Sequence, residues 1–404
     1  MTTPVLFLGL VANALAHASL LIMLPALGRE IGWSDLQTGV LLSLSAFALM
    51  LVAPLWGRVC ERRGRRPVLL VGLLAAALFP LGFALLVELW RGGAVSALWL
   101  FGAVLLLRLV QALMSGGVMP AAQAVLADLT SAERRAGGMG LMGAAFGLGT
   151  ILGGALAWRI GGHDVVSAFL LVGAVAGVAW LLLAWRLVET APARPSAGEQ
   201  DVAPLPWRRL WPHLLITLLG LSIYSLLQQV TALRLQDLHG LTAGGSIARA
   251  GLLMMSTMAA MVLVQGLLVR RLRWSPAWLL RSGALLALGA LTLTALTPDP
   301  RWLALGMALL GAGFGLLLPG NLAGLSLGAG PLAQARVAGV NVMVQGLGMA
   351  LGPVSGAALH QLDPLAPYWA AVVLMTLVGL VVLRMCAPGG VAMAADGVVG
   401  EGAR

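Results

Sequence analysis

The chain of 404 residues has no lysine, two cysteines, two tyrosines and only 15 acidic side chains. Even with 25 arginines, charged residues make up 10% of the sequence, too few to coat a water-soluble fold of this length. Cys60 and Cys386 both fall at the ends of apolar runs, on one predicted side, so no structural disulfide is expected. No Cys/His spacing fits a metal site, and no Gly-x-x-x-x-Gly-Lys-[Ser/Thr] loop is present to cradle a nucleotide, so no cofactor is expected. Ten-residue stretches of alternating hydrophobicity, the mark of an outer-membrane barrel, are also missing.

What the sequence has is apolar length: 60% of its residues are hydrophobic, in long continuous runs. A membrane-spanning helix needs about 20 such residues. Twelve runs meet that requirement, near residues 4–28, 36–56, 67–90, 97–119, 137–160, 165–188, 211–236, 246–269, 277–297, 302–327, 337–360 and 367–386. The expected fold is therefore an all-α membrane protein of twelve transmembrane helices. The first run lacks a basic leader and a small-residue cleavage site, and is read as span 1. Residues 189–210 are rich in Pro, Ala and charge and read as a linker between residues 1–188 and 211–386, two bundles of six spans. The Gly- and Ala-rich tail, residues 387–404, is expected to be disordered.

The net charge of +10 is a matter of topology rather than nucleic-acid binding. On the side that carries the linker and both chain ends lie 18 arginines and 8 acids, against 6 and 7 on the other. The positive-inside rule then places both termini in the cytoplasm of a bacterial-type inner membrane. Tryptophans at predicted span ends (Trp33, Trp56, Trp90, Trp158, Trp211, Trp274 and Trp302) read as interfacial anchors. Ser34 with Gln37, and Thr130 with Glu133, have the spacing of helix-starting capping boxes.

The two halves are internally related. Gly57, an Arg-rich stretch and Pro67 recur as Gly266, Arg270/Arg271/Arg273 and Pro276, a shift of 209 residues, while Gly143, Gly149 and Gly153 recur as Gly346, Gly352 and Gly356, a shift of 203. Duplicated halves are a frequent building plan of membrane transporters.

Polar residues within the spans come in helical pairs, each costly unless it faces a partner or water. Asn13 and His17 share a face of span 1; Arg108, Gln111 and Ser115 share one of span 4; Tyr224 and Gln228 share one of span 7; and Asn341 and Gln345 share one of span 11. Arg108 stands out, because a guanidinium at mid-span does not deprotonate and costs at least about 3 kcal/mol on insertion scales unless an anion, carbonyls or water receive it. No carboxylate occupies mid-membrane. Arg234 and Asp237, i and i+3 near the end of span 7, read as a local ion pair.

Three motifs carry a family resemblance. Gly57-Arg-Val-Cys-Glu61-Arg62-Arg63-Gly64-Arg65-Arg66 resembles the G-x-x-x-D-R-x-G-R-R signature of the major facilitator superfamily. Arg108-Leu-Val-Gln111-Ala112 is similar to its R-x-x-Q-G element, and Gly149-Thr150-Ile-Leu-Gly153-Gly154 to the G-P-x-x-G-G motif of the twelve-span drug/proton antiporter branch. Glu61, Ala112 and Thr150 depart from the usual Asp, Gly and Pro, whereas Gly352-Pro353-Val-Ser-Gly356 in span 11 keeps the proline.

The resemblance implies two pseudo-symmetric six-helix bundles that alternate access. Gly57, Glu61, Arg62, Gly64, Arg65, Asp128 and Arg336 would form a cytoplasmic gate, with Glu61 opposite Arg336 and Asp128 opposite an arginine of the motif. Gly143, Gly149, Gly153, Gly154, Gly352, Pro353 and Gly356 would form the close-packed hinge. In that fold spans 1, 4, 7 and 10 line the central cavity, which brings in Asn321 and makes Asn13, His17, Arg108, Gln111, Ser115, Tyr224, Gln228, Asn321, Asn341 and Gln345 the expected substrate ring. His17, whose ordinary titration lies near neutrality, is the candidate proton carrier.

The expectation is a proton-coupled, monomeric exporter of a small organic molecule, not an enzyme, with an electropositive cavity that favours an anionic or zwitterionic carboxylate metabolite such as a siderophore. Its expected partners are that solute, protons and the lipid bilayer, with no nucleic acid. The alternatives are multidrug efflux of lipophilic compounds, proton-symport uptake of a small anion or sugar, and a membrane enzyme acting on lipids. The enzyme would require convergent His, Asp or Glu side chains near an interface, and these are scarce.

Overall fold

A computed structural model describes residues 2–129, 135–189, 205–272, 274–297, 299–329 and 334–385. The described residues are helical with short connections and contain no strand, as expected where lipid offers the backbone no hydrogen-bond partner. Twelve helical stretches among them are long and apolar enough to cross a membrane. In chain order the helices are α1 (Thr2–Ile31), α2 (Asp35–Arg63), α3 (Arg65–Arg91), α4 (Ala97–Ser115), α5 (Val118–Leu129), α6 (Arg135–Leu156) and α7 (Val165–Arg186). The second half holds α8 (Trp207–His239), α9 (Ala243–Leu263), α10 (Val269–Leu272), α11 (Pro276–Leu296), α12 (Pro300–Ala329), α13 (Gln334–Leu362) and α14 (Ala366–Met385).

Two spans continue through a π-helical turn: α6 through Ala157–Gly161, and α9 through Val264–Leu268 into α10. The fourth span, expected as one helix, is broken between α4 and α5 at Gly116 and Gly117. A side chain at either glycine would strike Val52, Val68 or the Trp56 ring. Trp56 fills that space and donates its indole N–H to the Leu113 carbonyl at 2.6 Å, next to the break. The helix ends are set by local chemistry. Ser34 and Gln37 form the expected capping box of α2. Ser96, Asp164 and Ser275 cap α4, α7 and α11 with their side chains. Thr130 and Glu133 lie outside the described residues.

The described residues separate into two compact units, one within 1–198, 225–258 and 349–367, the other within 199–224, 259–348 and 368–404. In the first, α1 packs against α6 and α7, and α3 against α4 and α7. Its core includes Leu6, Leu73, Val118, Leu126 and Leu183, all at most 2% exposed. In the second, α11 lies along α12, while Leu210, Leu325 and Val337 form a core across α8, α12 and α13. Large apolar side chains also point outward, among them Leu98 (75% exposed), Leu285 (71%) and Leu327 (73%). Such a surface suits lipid and not water.

Trp33 corrects one expectation. It is 4% exposed, donates to the Ala97 carbonyl at 2.9 Å and meets Phe101 edge-on, so it ties α1 to α4 and does not anchor an interface. Cys60 is buried, whereas Cys386, the tail and linker residues 190–204 lie outside the described residues.

Candidate functional site

The first unit buries one polar cluster in mid-span. Arg108, 4% exposed, projects from α4. It donates to the side-chain oxygen of Gln111, one turn along the same helix, and faces Nδ1 of His17 from α1 at 3.3 Å. Its guanidinium also lies over the ring of Phe79 from α3, 5.4 Å from the centroid. Arg108 Nε has no hydrogen-bond partner, and among the described residues no carboxylate pairs with this cation. A guanidinium has donors only, so Nδ1 of His17 accepts and the imidazole is neutral with its proton on Nε2. The cluster therefore presents net positive charge with donor capacity to spare, the arrangement that receives an anion.

The other expected ring residues are placed as follows. Asn13, half-buried in α1, makes no side-chain hydrogen bond among the described residues. Ser115 donates to the Gly72 carbonyl of α3 at 3.3 Å, a helix-packing contact. Gln228 is buried and Tyr224 half-buried, both in α8. Gln345 is exposed on α13.

Asn321 and Asn341 belong to a buried network of the second unit. Asn321 accepts from His213 Nδ1 at 2.9 Å and donates to the His213 carbonyl at 3.0 Å and the Thr217 hydroxyl at 2.9 Å, while Thr217 donates to Asn341 at 2.9 Å. These amides join α8, α12 and α13. His213 was not among the sequence candidates, because nothing near it in the sequence announces its partner 108 residues away.

The first unit contains a second charged cluster, at the end of α1 far from its N-terminus. Arg29 binds Asp35 through two contacts of 2.7 Å and Asp237 through two of 2.6 and 2.9 Å, and His360 Nε2 lies 2.8 Å from the same Asp237 carboxylate. Asp237, expected beside Arg234, is instead held by α1 and α13. Nearby, Gln229 donates to the Thr38 hydroxyl at 3.0 Å, and the Ser43 hydroxyl accepts from the Val354 backbone at 3.0 Å. Further round, the Asp164 carboxyl is held below the usual carboxylate range by the Ser167 hydroxyl, helped by Arg91 and the amides that it caps.

Of the expected gate, the side chains of Glu61, Asp128 and Arg336 lie outside the described residues. Arg62 is exposed, Arg65 is buried, and a side chain at Gly57 would meet open space. Gly64 is different: its φ of +94° favours glycine, and a Cβ there would run into the Glu189 carboxylate. Glu189 accepts from the backbone N–H groups of Arg65 at 2.7 Å and Arg66 at 3.2 Å, while the Arg66 side chain reaches the Ala184 carbonyl at 2.6 Å. The motif loop is thus clamped to the end of α7 by a residue that sequence reading passed over as linker.

Among the expected hinge positions, Gly149 and Gly153 press on α1 at Val11, Ala14, Leu15 and Ala18, and Gly154 on Gly251 and Met255 of α9. Gly356, related to Gly153 by the repeat, presses on Leu226 and Val230 of α8, as span 11 mirrors span 5 and span 7 mirrors span 1. Pro353 packs closely on Gly39, where a side chain would strike its carbonyl, Gly352 is buried, and Gly143 faces open space.

Twelve apolar spans and a buried intramembrane cation define a multi-pass helical membrane protein of the transporter type. The profile of the Major Facilitator Superfamily matches residues 6–353, and the chain belongs to that superfamily. It is 35% identical over 190 residues to the class E tetracycline resistance protein of Escherichia coli, a match spanning 46% of this chain and only 44% of that relative. It is 25% identical over 347 residues to a multi-drug resistance efflux pump PmrA homolog of Lactococcus lactis, covering 83% of this chain and 81% of that one. In fold it is similar to the human organic anion transporter MFSD10, with TM-score 0.69 and 23% identity over 94% of this chain and 98% of that one.

Proposed function

We propose that the protein is a proton-coupled exporter of a small anionic or zwitterionic molecule, a carboxylate metabolite of the siderophore kind, working by alternating access between the bundles 1–188 and 211–386. It acts as a monomer in a bacterial-type inner membrane with both termini in the cytoplasm. Likeness to an efflux pump supports the outward direction. The substrate class rests on one observation: Arg108 is buried in mid-span with Gln111, His17 and Phe79 around it and, among the described residues, no carboxylate to neutralise it. The charge has to be met by something from outside the chain, and an anionic solute meets it.

The Arg108–His17 pair also favours a second reading. A proton on His17 would set two cations side by side, and an anion bound at Arg108 relieves that repulsion. By linkage, anion and proton then assist each other's binding. Two ions that bind together at one site travel together, which is proton symport. The transport gradient separates the readings. In proteoliposomes loaded with a radiolabelled tricarboxylate, exchange predicts that acid outside the vesicle accelerates loss of the anion. Symport predicts that the same acid retards that loss. Movement of the anion indifferent to the gradient would contradict both.

A further inference from the structure

We propose that a groove on the outer face of the second unit, between the first half of α8 and the last half of α14, is a binding site for an anionic phospholipid. The groove encloses about 510 Å³, within the roughly 300–1,000 Å³ of ordinary small-ligand sites. Its floor and walls are apolar, formed by Pro212, Leu215 and Leu219 of α8 and by Leu377, Leu380 and Val381 of α14. Leu377 and Leu380 remain 45% and 51% exposed, so the trough opens sideways and is not a closed internal cavity. A trough of that chemistry, facing the lipid side of a membrane helix pair, takes an acyl chain.

The polar end of the groove selects the headgroup. Arg208, Arg209 and Arg384 line it, and among the described residues no carboxylate does. All three are exposed, and none of their side chains makes a hydrogen bond or ion pair with another described residue. They sit where α8 begins at Trp207 and α14 ends at Met385, the depth at which headgroups lie. Trp207 and Trp211, 52% and 53% exposed, mark the same layer. Guanidinium forks match phosphate oxygens in pairs, and three uncompensated positive charges disfavour a headgroup that carries its own cation. Phosphatidylglycerol has the phosphate without the cation. The groove also opens on the arginine-rich side of the molecule, which faces the leaflet where anionic lipid draws basic segments.

Native mass spectrometry of the full-length protein in detergent, titrated with phosphatidylglycerol or phosphatidylcholine of the same acyl chains, tests this. The wild type should hold one phosphatidylglycerol at lipid concentrations at least ten-fold below those needed for phosphatidylcholine. R208Q/R209Q/R384Q should lose that preference, while R58Q/R186Q/R271Q, which removes equal charge elsewhere, should keep it. L377W fills the trough without touching the charges and should weaken retention of both lipids. Undiminished preference in the groove triple variant, equal loss in the control triple variant, or equal binding of the two lipids by the wild type would each overturn the proposal.

Discussion

The guanidinium of Arg108 donates across 3.3 Å to Nδ1 of His17, so the one buried cation of α4 is steadied by a neutral imidazole of α1. Since the imidazole accepts, it is poised to take up a proton only when Arg108 is engaged elsewhere. His17→Asn keeps an acceptor at the site but does not titrate. Transport of an anion by the wild type should vary with pH, and H17N should flatten that profile while retaining transport. A pH profile in H17N that superimposes on the wild type would remove His17 from coupling.

Arg29 gathers Asp35 and Asp237 around one guanidinium, and His360 supports Asp237 from α13. Arg29 and Asp237 are 26% and 34% exposed, so solvent screens the pair. Arg29→Ala leaves two carboxylates close together, and the expected loss of stability is about 1 kcal/mol. The larger effect should be on access. A cysteine placed at Leu238 should react with a membrane-impermeant thiol reagent several-fold faster in R29A than in the otherwise wild-type chain, and an unchanged rate would show that this cluster holds nothing shut.

Gly64 and Gly57 belong to the same motif but should respond differently to substitution. Gly64→Ala forces a side chain into a positive φ and against Glu189, at a cost of roughly 1–3 kcal/mol, whereas Gly57→Ala meets open space. Thermal unfolding of the two variants in detergent should show a clear fall in midpoint for G64A and little change for G57A. Equal midpoints would contradict the clamp between Glu189 and the start of α3.

Asp164 caps α7 as a carboxylate, and its folded-state titration lies below its unfolded one. A group shifted in that direction contributes stability above its unfolded value near 4 and loses the contribution as pH falls through the folded value. Asp164→Asn keeps much of the cap but not the charge. The wild type should be the more stable at pH 7, and the difference between the two midpoints should narrow as the pH drops below about 4. A difference that stays constant on acidification would assign the cap to geometry alone.

Much of this molecule is legible in its sequence. The twelve spans were readable because hydropathy is local, and the capping box at Ser34 because its partner is three residues away. The repeat-related glycines could be paired because Gly153 and Gly356 face equivalent helices. Arg108 was conspicuous as the lone cation of its span. What could not be read depends on pairing at a distance. Arg29 finds Asp237 208 residues later, and His213 finds Asn321 108 residues later, with no local pattern to mark either partner. The close packing at Gly116 and Gly117 is not legible in the sequence because Val52, Trp56 and Val68, which press on them, lie on other helices. Glu189 was hidden at the edge of a polar stretch that looked like linker alone.

The most direct test of the electropositive site is transport by reconstituted protein of a tricarboxylate against tetraphenylphosphonium, each with Arg108 intact and with Arg108→Ala or Arg108→Lys. The account predicts proton-linked movement of the tricarboxylate, reduced at least ten-fold in R108A and partly restored in R108K, with the cation transported poorly throughout. Transport of the cation alone, unaffected by either substitution, would contradict it.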